Sequence, residues 1–345
     1  MSYRAGVIGC GRIGCGFDDD PRRRQVSTHA GAYRRTPSVE LVALADLDEA
    51  KLARYGERLG VMGRYRDYRA MLDRERLDIL SVCTWNHTHR EIIEAAVESG
   101  VKAIFCEKPI ADSLADADAI IERCAERGVL LLVNHKRRFD PFHQRIAEAL
   151  RSGALGRIQQ VSCHYTSGLA NTGTHLFDLL RMYFGDVVWL QGLPSASGSG
   201  RAEDPNVDGW LQFAAGFPAA IQACDVSSYY LVEVHVLGTK GRWQINTGTS
   251  EALRCEIAAP SAHTIEYNDL QVAPPPIAAN EAPEYMLQGV RHLVECLTAN
   301  ATPLCSGEDG RKALEIVCAL RESAAEGGRR IELPLQDSAV RVLSQ

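Results

Sequence analysis

The residues best suited to chemistry open the chain. Val7-Ile8-Gly9-Cys10-Gly11-Arg12-Ile13-Gly14 is a short apolar strand running into Gly-x-Gly-x-x-Gly. That is the fingerprint of a dinucleotide-binding turn. Gly9 suits the tight turn out of the strand. Gly11 lets the backbone approach a pyrophosphate, and Gly14 lets the following helix pack closely on the sheet. Arg12 and Ile13 open that helix, whose free N–H groups and positive dipole end suit phosphate. A plain glycine turn can carry the same letters. The strand Ala5–Ile8 ahead of it supplies the context the motif requires.

An acidic partner for the adenosine ribose belongs about 20 residues further on. Asp46 closes the apolar run Leu41–Ala45 but stands 32 residues after Gly14. The excess has a visible source. Asp18-Asp19-Asp20-Pro21-Arg22-Arg23-Arg24-Gln25 is not helical in pattern, and Pro21 stops a helix. Ser27 or Thr28 then reads as the N-cap of a helix from Ala30 to Arg35. An insertion of about ten residues in the first crossover restores the spacing. Asp46 would accept from the ribose hydroxyls and repel a 2′-phosphate, which favours NAD over NADP. It is equally compatible with a cap ahead of Asp48-Glu49-Ala50-Lys51. Arg22-Arg23-Arg24 reads either as a solvated loop or as an anion contact near cofactor or substrate, and could even reach a 2′-phosphate.

Three further stretches follow predicted strands. Thr84-Trp85-Asn86-His87-Thr88-His89 comes after Ile79–Cys83. Glu107-Lys108-Pro109 comes after Ala103–Cys106. Asn134-His135-Lys136-Arg137-Arg138-Phe139 comes after Leu130–Val133. Loops are polar in any case. Lys108 between an acid and a proline is more specific, because the proline biases it towards an extended conformation.

The elements that position these groups alternate strand and helix from Met1 to about Asn134. The strands are short apolar runs of the kind buried on both faces of a parallel sheet. Helices at Glu49–Leu59, Glu91–Ser99 and Leu114–Arg127 each end at a glycine. This predicts a doubly wound α/β domain over residues 1–134, with ligands beyond the carboxyl ends of the strands. Residues 135–345 change style. Helices at Phe142–Leu150 and Thr174–Phe184 flank a strand, Ile158–Tyr165. Runs at Trp210–Phe213, Ala219–Ala223, Val232–Leu237, Trp243–Ile245, Leu253–Ile257 and Thr264–Tyr267 follow without intervening helices, which predicts a largely antiparallel sheet. Gly238-Thr239-Lys240-Gly241 is a hairpin turn. Ser195–Pro205 and Ala273–Pro283 read as loops. Glu284–Thr298 and Gly310–Ala325 read as closing helices that could pack back on the first domain.

Composition excludes several classes. The 345 residues carry a net charge of −6, with 46% hydrophobic and 24% charged residues, as in a soluble globular protein. Nothing points to nucleic acid or an anionic membrane. No apolar run is long enough to span a bilayer. The fingerprint strand begins too close to Met1 for a signal peptide. The 11 cysteines form no CxxC pair and no zinc spacing. They read as thiols in a reducing cytoplasm, and no metal is expected.

The fingerprint, Glu107-Lys108-Pro109, Gly173-Thr174-His175-Leu176-Phe177-Asp178 and the tail Ser306-Gly307-Glu308-Asp309-Gly310-Arg311-Lys312-Ala313-Leu314-Glu315 occur in fixed order. In this the chain resembles the glucose-fructose oxidoreductase / inositol dehydrogenase / rhizopine-catabolism family over nearly its whole length. The resemblance implies an N-terminal Rossmann domain and a C-terminal α+β domain with an open, mostly antiparallel sheet. It implies bound NAD(H) or NADP(H), dimers or tetramers built on that sheet, and redox chemistry on a sugar-like alcohol or carbonyl. Lys108 would contact the reacting oxygen, and His175 would accept and donate the proton. His89, with Thr84 and Asn86, falls where the family contacts the nicotinamide ribose; His89 also reads as a first-turn helix residue. Glu107 joins Lys108 among the cofactor contacts. Arg138, Asn171 and Thr174 join Lys108 and His175 as candidate substrate contacts, while His29 and His135 could line the site. Asn171 departs from the aspartate that many polyol dehydrogenases carry there, and an asparagine cannot relay a proton. The Asn-x-Gly-x-His-x-Phe-Asp version resembles members that oxidise nucleotide-linked sugars at C3. Asp178 would orient the site or merely contact a neighbouring turn. Loops such as Ser162–Thr172 and Ser195–Pro205 would shape the substrate pocket.

The chemistry is self-consistent. Removing a hydroxyl proton as hydride leaves carbon needs a base that titrates near neutrality, which suits histidine. A cation beside the developing alkoxide lowers the barrier. Two other readings use the same fold: a redox-neutral lyase or hydrolase with transiently reduced NAD, and a dinucleotide-sensing regulator without catalysis.

Overall fold

The computed structural model describes residues 2–261, 266–279, 283–335 and 338–344. Contacts divide the chain into two units. The first is residues 1–140, 284–314 and 343–345; the second is residues 141–283 and 315–342. The sequence reading places one boundary after Asn134. The contacts place it after Asp140 and return residues 284–314 to the first unit.

The first unit holds a six-stranded parallel sheet. Its strands are β1 (Tyr3–Ile8), β2 (Val39–Ala45), β3 (Gly63–Tyr65), β4 (Ile79–Val82), β5 (Ala103–Cys106) and β6 (Leu130–Val133), in spatial order β3-β2-β1-β4-β5-β6. That is the doubly wound order, which reverses at β1 and opens a ligand crevice there. Every residue of β4 and β5 is buried, as two covered faces require. Helices α1 (His29–Arg34), α2 (Glu49–Leu59), α3 (Tyr68–Glu75), α4 (His89–Glu98) and α5 (Leu114–Glu126) make the crossovers. Their starts are capped locally. Asp48 accepts from the amides of Ala50 and Lys51, and Ser113 accepts from Asp116. Gly60, at φ 68°, ends α2. The short β3 and α3 are absent from the sequence reading: three residues, or two turns with only Met71 and Leu72 buried, are too few to show a period.

The second unit opens with α6 (Pro141–Arg151), and α7 (Thr174–Phe184) packs on its sheet through Phe184 and Phe213, 5.5 Å between ring centres. The strands are β7 (Ile158–Tyr165), β8 (Val187–Pro194), β9 (Val207–Phe213), β10 (Pro218–Ala223), β11 (Val232–Gly238), β12 (Gly241–Asn246), β13 (Glu251–Ala258), β14 (Asp269–Ala273) and β15 (Ile331–Glu332). The order is β14-β13-β12-β11-β7-β10-β9-β8-β15. Each neighbouring pair is antiparallel except β7 with β10. The hairpin at residues 238–241 forms as expected. Ser162 lies within β7 rather than in a loop, and β8, β14 and β15 are additions. Gly192 and Pro194 break the apolar pattern of β8. The expected strand at 264–267 falls partly outside the described residues.

Burial along β11 alternates: Val232, Val234 and Val236 are buried, and Glu233 and His235 are not. Cross-strand pairing sets Leu253, Gln244, His235, Ser162, Ala220 and Trp210 in one row on the other face. That face is open within the chain: Leu253 is 66% exposed and Trp210 45%. Two helices complete the described chain. The apolar face of α8 (Tyr285–Ala299) packs on α1, β5 and β6 in the first unit. The long helix α9 (Gly307–Ala325) begins in the first unit and ends in the second.

Candidate active site

The fingerprint turn has the sterics its glycines predict. Gly9 sits at φ 96°, and a Cβ there would lie 2.7 Å from the Cys83 carbonyl. A Cβ on Gly14 would overlap the Gly9 carbonyl oxygen. Gly11 has no heavy atom within 4 Å of where its Cβ would be. So two glycines are required by packing and the third faces open space, where a pyrophosphate would approach.

The helix after the turn is interrupted and then resumes. Cys15 N donates to Gly11 O at 3.0 Å, and Phe17 N to Arg12 O at 2.7 Å, which forms the first turn. The chain then leaves and comes back. His29 N donates to Ile13 O at 3.1 Å and Ala30 N to Gly14 O at 3.0 Å. These bonds span sixteen positions where a continuous helix spans four. About twelve residues are therefore spliced into the helix, and without them Asp46 stands about 20 after Gly14, the usual spacing. Thr28 caps the resumed helix by accepting from Gly31 N. The acids of the excursion are engaged. Asp18 accepts from Ser27 N and Thr28 Oγ1, Asp19 pairs with Arg54 and Arg58, and Asp20 pairs with Arg22.

Asp46, partly exposed after β2, accepts from Cys10 N at 2.7 Å and from Asp48 N at 2.9 Å. One carboxylate thus ties the fingerprint turn to the end of β2, while Asp48 itself caps α2. Asp46 therefore braces the turn and does not cap α2, a role that falls to Asp48.

Lys108 follows β5, partly exposed, and its peptide bond to Pro109 is cis. Its neighbour Glu107 is buried within a polar network. His29 Nε2 lies 2.9 Å from Glu107 Oε1, and Asn134 Nδ2 donates to the same oxygen at 2.6 Å. His29 Nδ1 lies 2.7 Å from Ser81 Oγ, which lies 2.6 Å from Tyr33 OH. With the His29 proton on Nε2, donors run in sequence from Tyr33 through Ser81 and His29 to Glu107. Lys108 N donates to Glu107 Oε2 at 3.2 Å. Burial alone would raise the Glu107 pKa, but the bonds from His29 and Asn134 and the charge of Lys108 hold it below the ordinary carboxyl range. The network anchors the backbone that carries Lys108.

Other expected contacts take different roles. His89 is buried, with Nδ1 3.1 Å from Ile110 O and Nε2 3.2 Å from Thr84 O. A neutral imidazole has one donor, so only one carbonyl is bonded at a time, while the Cys106 thiol lies 3.3 Å from Nδ1. Both nitrogens face protein groups at the ends of β4 and β5 rather than a ribose. Asn86 donates to Ala111 O and accepts from Ser344 N. Thr84 accepts from Thr88 Oγ1 at 2.8 Å and remains partly exposed. Arg138, expected against substrate, is buried: it donates to Leu304 O at 3.0 Å and pairs with Asp309 at 3.1 Å. His29 belongs to the buried network, and His135 is buried as well. Cys83 and Cys106 are buried beside this site, where burial and Glu107 hold the thiols protonated. A larger cavity, about 660 Å³, opens near Lys102 and Leu130 at the amino ends of β5 and β6, away from these groups.

In the second unit, α7 continues from a wider turn, Leu169–Gly173, with i→i+5 bonding. Asp204, from the expected loop at 195–205, accepts from Ala170 N and Asn171 N at 2.8 Å each. It braces the turn where Ser167 and Gly168 adopt positive φ. The Asn171 side-chain amide donates to Ser167 O and Oγ at 3.2 Å. His175 lies in the first turn of α7, half-buried, and Asp178 is fully buried one turn on. Thr174 Oγ1 is buried without a partner among the described residues.

The spacing of cysteines and histidines along the chain suggests no metal site. Strand pairing nonetheless brings ligand atoms of His164, Glu233 and His235 within 4.8 Å of one another on the open face. His235 Nε2 and Gln244 Nε2 each lie 3.2 Å from Glu233 Oε2, so one oxygen of the carboxylate is engaged by its neighbours.

Comparison with known proteins agrees with this architecture. Residues 3–135 match the model of the oxidoreductase family with an NAD-binding Rossmann fold, and residues 143–244 match the GFO/IDH/MocA C-terminal domain. The chain is 32% identical to D-apiose dehydrogenase of Paraburkholderia graminis, over 93% of this chain and 88% of that one. It is 27% identical to inositol 2-dehydrogenase of Rhizobium meliloti, over 94% and 98%. A solved structure of levoglucosan dehydrogenase with NADH and levoglucosan shares the fold at a TM-score of 0.80, with 19% identity, covering 97% of this chain and 100% of that one. With both halves matched and a relative similar along nearly the full length, the chain belongs to the GFO/IDH/MocA family of oxidoreductases.

Proposed function

We propose that the protein is an NAD-dependent dehydrogenase or ketoreductase acting on a secondary alcohol, or its ketone, in a sugar or sugar derivative. One observation carries this reading. Asp46, the fingerprint turn, Thr84 and Lys108 follow β2, β1, β4 and β5, four neighbouring strands, along one edge of the sheet. That edge runs from a ribose acceptor, past open space at Gly11, to a cation. The names of the relatives, apiose and inositol dehydrogenases, support the sugar class.

The residues fit the cofactor: Gly11 leaves room for the pyrophosphate, and the partly exposed Asp46 carboxylate stands beside the turn. Bound NAD+ supplies the hydride acceptor. Lys108 places its charge on the substrate oxygen and favours alkoxide character. His175 takes the hydroxyl proton. Both roles come from the family resemblance. Asn171 positions groups without relaying a proton. Asp46 accepts from the ribose hydroxyls and disfavours a 2′-phosphate, so NAD is preferred to NADP. The open face bearing Trp210 and Leu253 is the surface for a homo-oligomer. Eleven free thiols suit a reducing compartment such as the cytoplasm.

The test is NADH formation from NAD+ with a sugar panel that includes D-apiose, myo-inositol and levoglucosan. The reading expects NADH with at least one sugar, and slower reduction when NADP+ replaces NAD+ at equal concentration. Substrate consumption without NADH accumulation would instead mark a redox-neutral lyase. NAD binding with no turnover of any sugar would overturn the dehydrogenase reading.

A further inference from the structure

The spliced excursion and the end of β6 enclose a cavity of about 330 Å³. Its lining includes Ile13 of the fingerprint turn, Arg22, Arg23 and Arg24 of the excursion, Lys136 and Tyr285. Four of the lining residues are cations, and no carboxylate is among them. Arg22 is spent on Asp20, at 2.9 Å on the surface. Arg23 and Arg24 form no ion pair among the described residues. Arg23 stacks over Phe17, 4.0 Å from the ring centre, and Arg12 lies over the same ring at 4.7 Å.

Lys136 is the anchor of this cavity. Its ammonium lies 5.3 Å from the centre of the Tyr285 ring. It retains some exposed surface, yet burial lowers its pKa to about 8, and the charges of Arg137, Lys108 and Arg23 push the same way against Glu107. A desolvated cation among cations is unfavourable unless an anion joins it.

The position of Lys136 excludes one candidate anion. Lys136 follows β6 and Asp46 follows β2, four strand spacings apart in the sheet, or about 19 Å. The Lys136 end of the cavity therefore lies on the far side of the switch point from the adenosine ribose. An anion held by Lys136 is thus not the 2′-phosphate, the contact the sequence allowed for the neighbouring arginines.

We propose that this cavity binds an anionic group, carboxylate or phosphate, carried by the substrate, so that the preferred sugar is a sugar acid or a sugar phosphate. The inference rests on the dehydrogenase reading for the word substrate, but its binding test does not need turnover. Arg23 and Arg24 supply forked donors, and Lys136 supplies a point charge.

The experiment titrates the NAD-loaded protein calorimetrically with D-glucose, D-glucuronate and D-glucose 6-phosphate, which share a ring and differ in charge. At least one anion should bind about tenfold or more tighter than glucose, the worth of a charge-assisted contact. Which anion wins distinguishes carboxylate from phosphate. Lys136→Met and the double variant Arg23→Ala/Arg24→Ala should each erase that preference, while NAD affinity of the sugar-free protein changes less than about twofold. Two variants on separate elements guard against a loop that merely loses order. Equal binding of all three probes, or an anion preference that survives both variants, would overturn the proposal. So would a loss of NAD affinity in the variants, which would assign the cations to the cofactor's own phosphates. If an anion binds as described but no sugar reduces NAD, the dehydrogenase reading fails and the anion site stands. If neutral sugars are oxidised with no anion preference, the reverse holds.

Discussion

The two sheets use the same polar residue types in opposite ways. In the parallel sheet His29, Ser81, Glu107 and Asn134 are buried and bonded to one another across the α1, β4, β5 and β6 elements. In the antiparallel sheet His164, Glu233, His235 and Gln244 share an open face. The difference lies in the number of covered faces. A doubly covered sheet tolerates polar side chains only when each finds a protein partner. A singly covered one can leave them to solvent or to another subunit. Polar residues in the first sheet therefore build a site, and those in the second prepare a surface.

The sharpest test of that contrast is chemical. Lys108→Ala and His175→Ala should each lower single-turnover hydride transfer by about two to four orders of magnitude, with NAD affinity near wild type. In the His175 variant the pH profile should also lose an ionisation near neutrality. Wild-type rates in His175→Ala would assign the base to another group.

Next in size is the buried network. His29→Ala removes a donor from the buried Glu107 carboxylate and should cost about 1.5–3 kcal/mol in denaturant unfolding, although His29 touches neither ligand in this scheme. A cost below that of an ordinary surface substitution would mean the network does not hold the β5 end in place.

The second sheet should divide by face. Val234→Ala on the covered face should cost about 1–3 kcal/mol. Leu253→Ser on the open face should change the stability of one chain by less than about 0.5 kcal/mol while shifting the light-scattering mass towards monomer. Equal costs on the two faces would remove the distinction. A wild-type protein that is already monomeric at micromolar concentration would remove the oligomer.

The smallest effect is in pH. Burial lowers the His89 pKa below the ordinary imidazole range, against the pull of the Thr84 and Ile110 carbonyls. A group with a depressed folded pKa contributes stability above its unfolded value, about 6.5, and loses it as pH falls towards the folded value. Glu107, also depressed, adds the same sign of effect below its ordinary range. Melting temperature should therefore fall on acidification below about pH 6.5. His89→Gln should flatten the upper part of that slope and leave the lower part unchanged.

What was legible in the sequence follows from distance along the chain. The strands β5, β6 and β7 match their predicted limits because an apolar run shows its own ends. The glycine roles and the position of Asp46 are local too. The spacing excess revealed the excursion, but the bonds from His29 to Ile13 and from Ala30 to Gly14 that make it a splice did not show. The network joining residues 29, 81, 107 and 134 carries no periodic signal. A serine in the otherwise apolar β4 was its one available trace. Lys136 stood in a run of five polar residues with nothing to single it out until the excursion came to lie against it. Arg138 looked like a ligand group for the same reason and proved to be an internal brace.

The splice has an evolutionary consequence. Its two hydrogen bonds hold the ends of the excursion one helical turn apart whatever lies between them. Closing a loop costs only about 0.6 kcal/mol more for each doubling of its length. The excursion can thus lengthen, shorten or change charge without shifting Asp46 against the glycine turn. The cofactor half of the protein is fixed by close packing, whereas the segment that supplies three of the cavity's cations behaves as a cassette. Exchanging that cassette between related chains would be the cheapest route to a new anion preference on an unchanged redox engine.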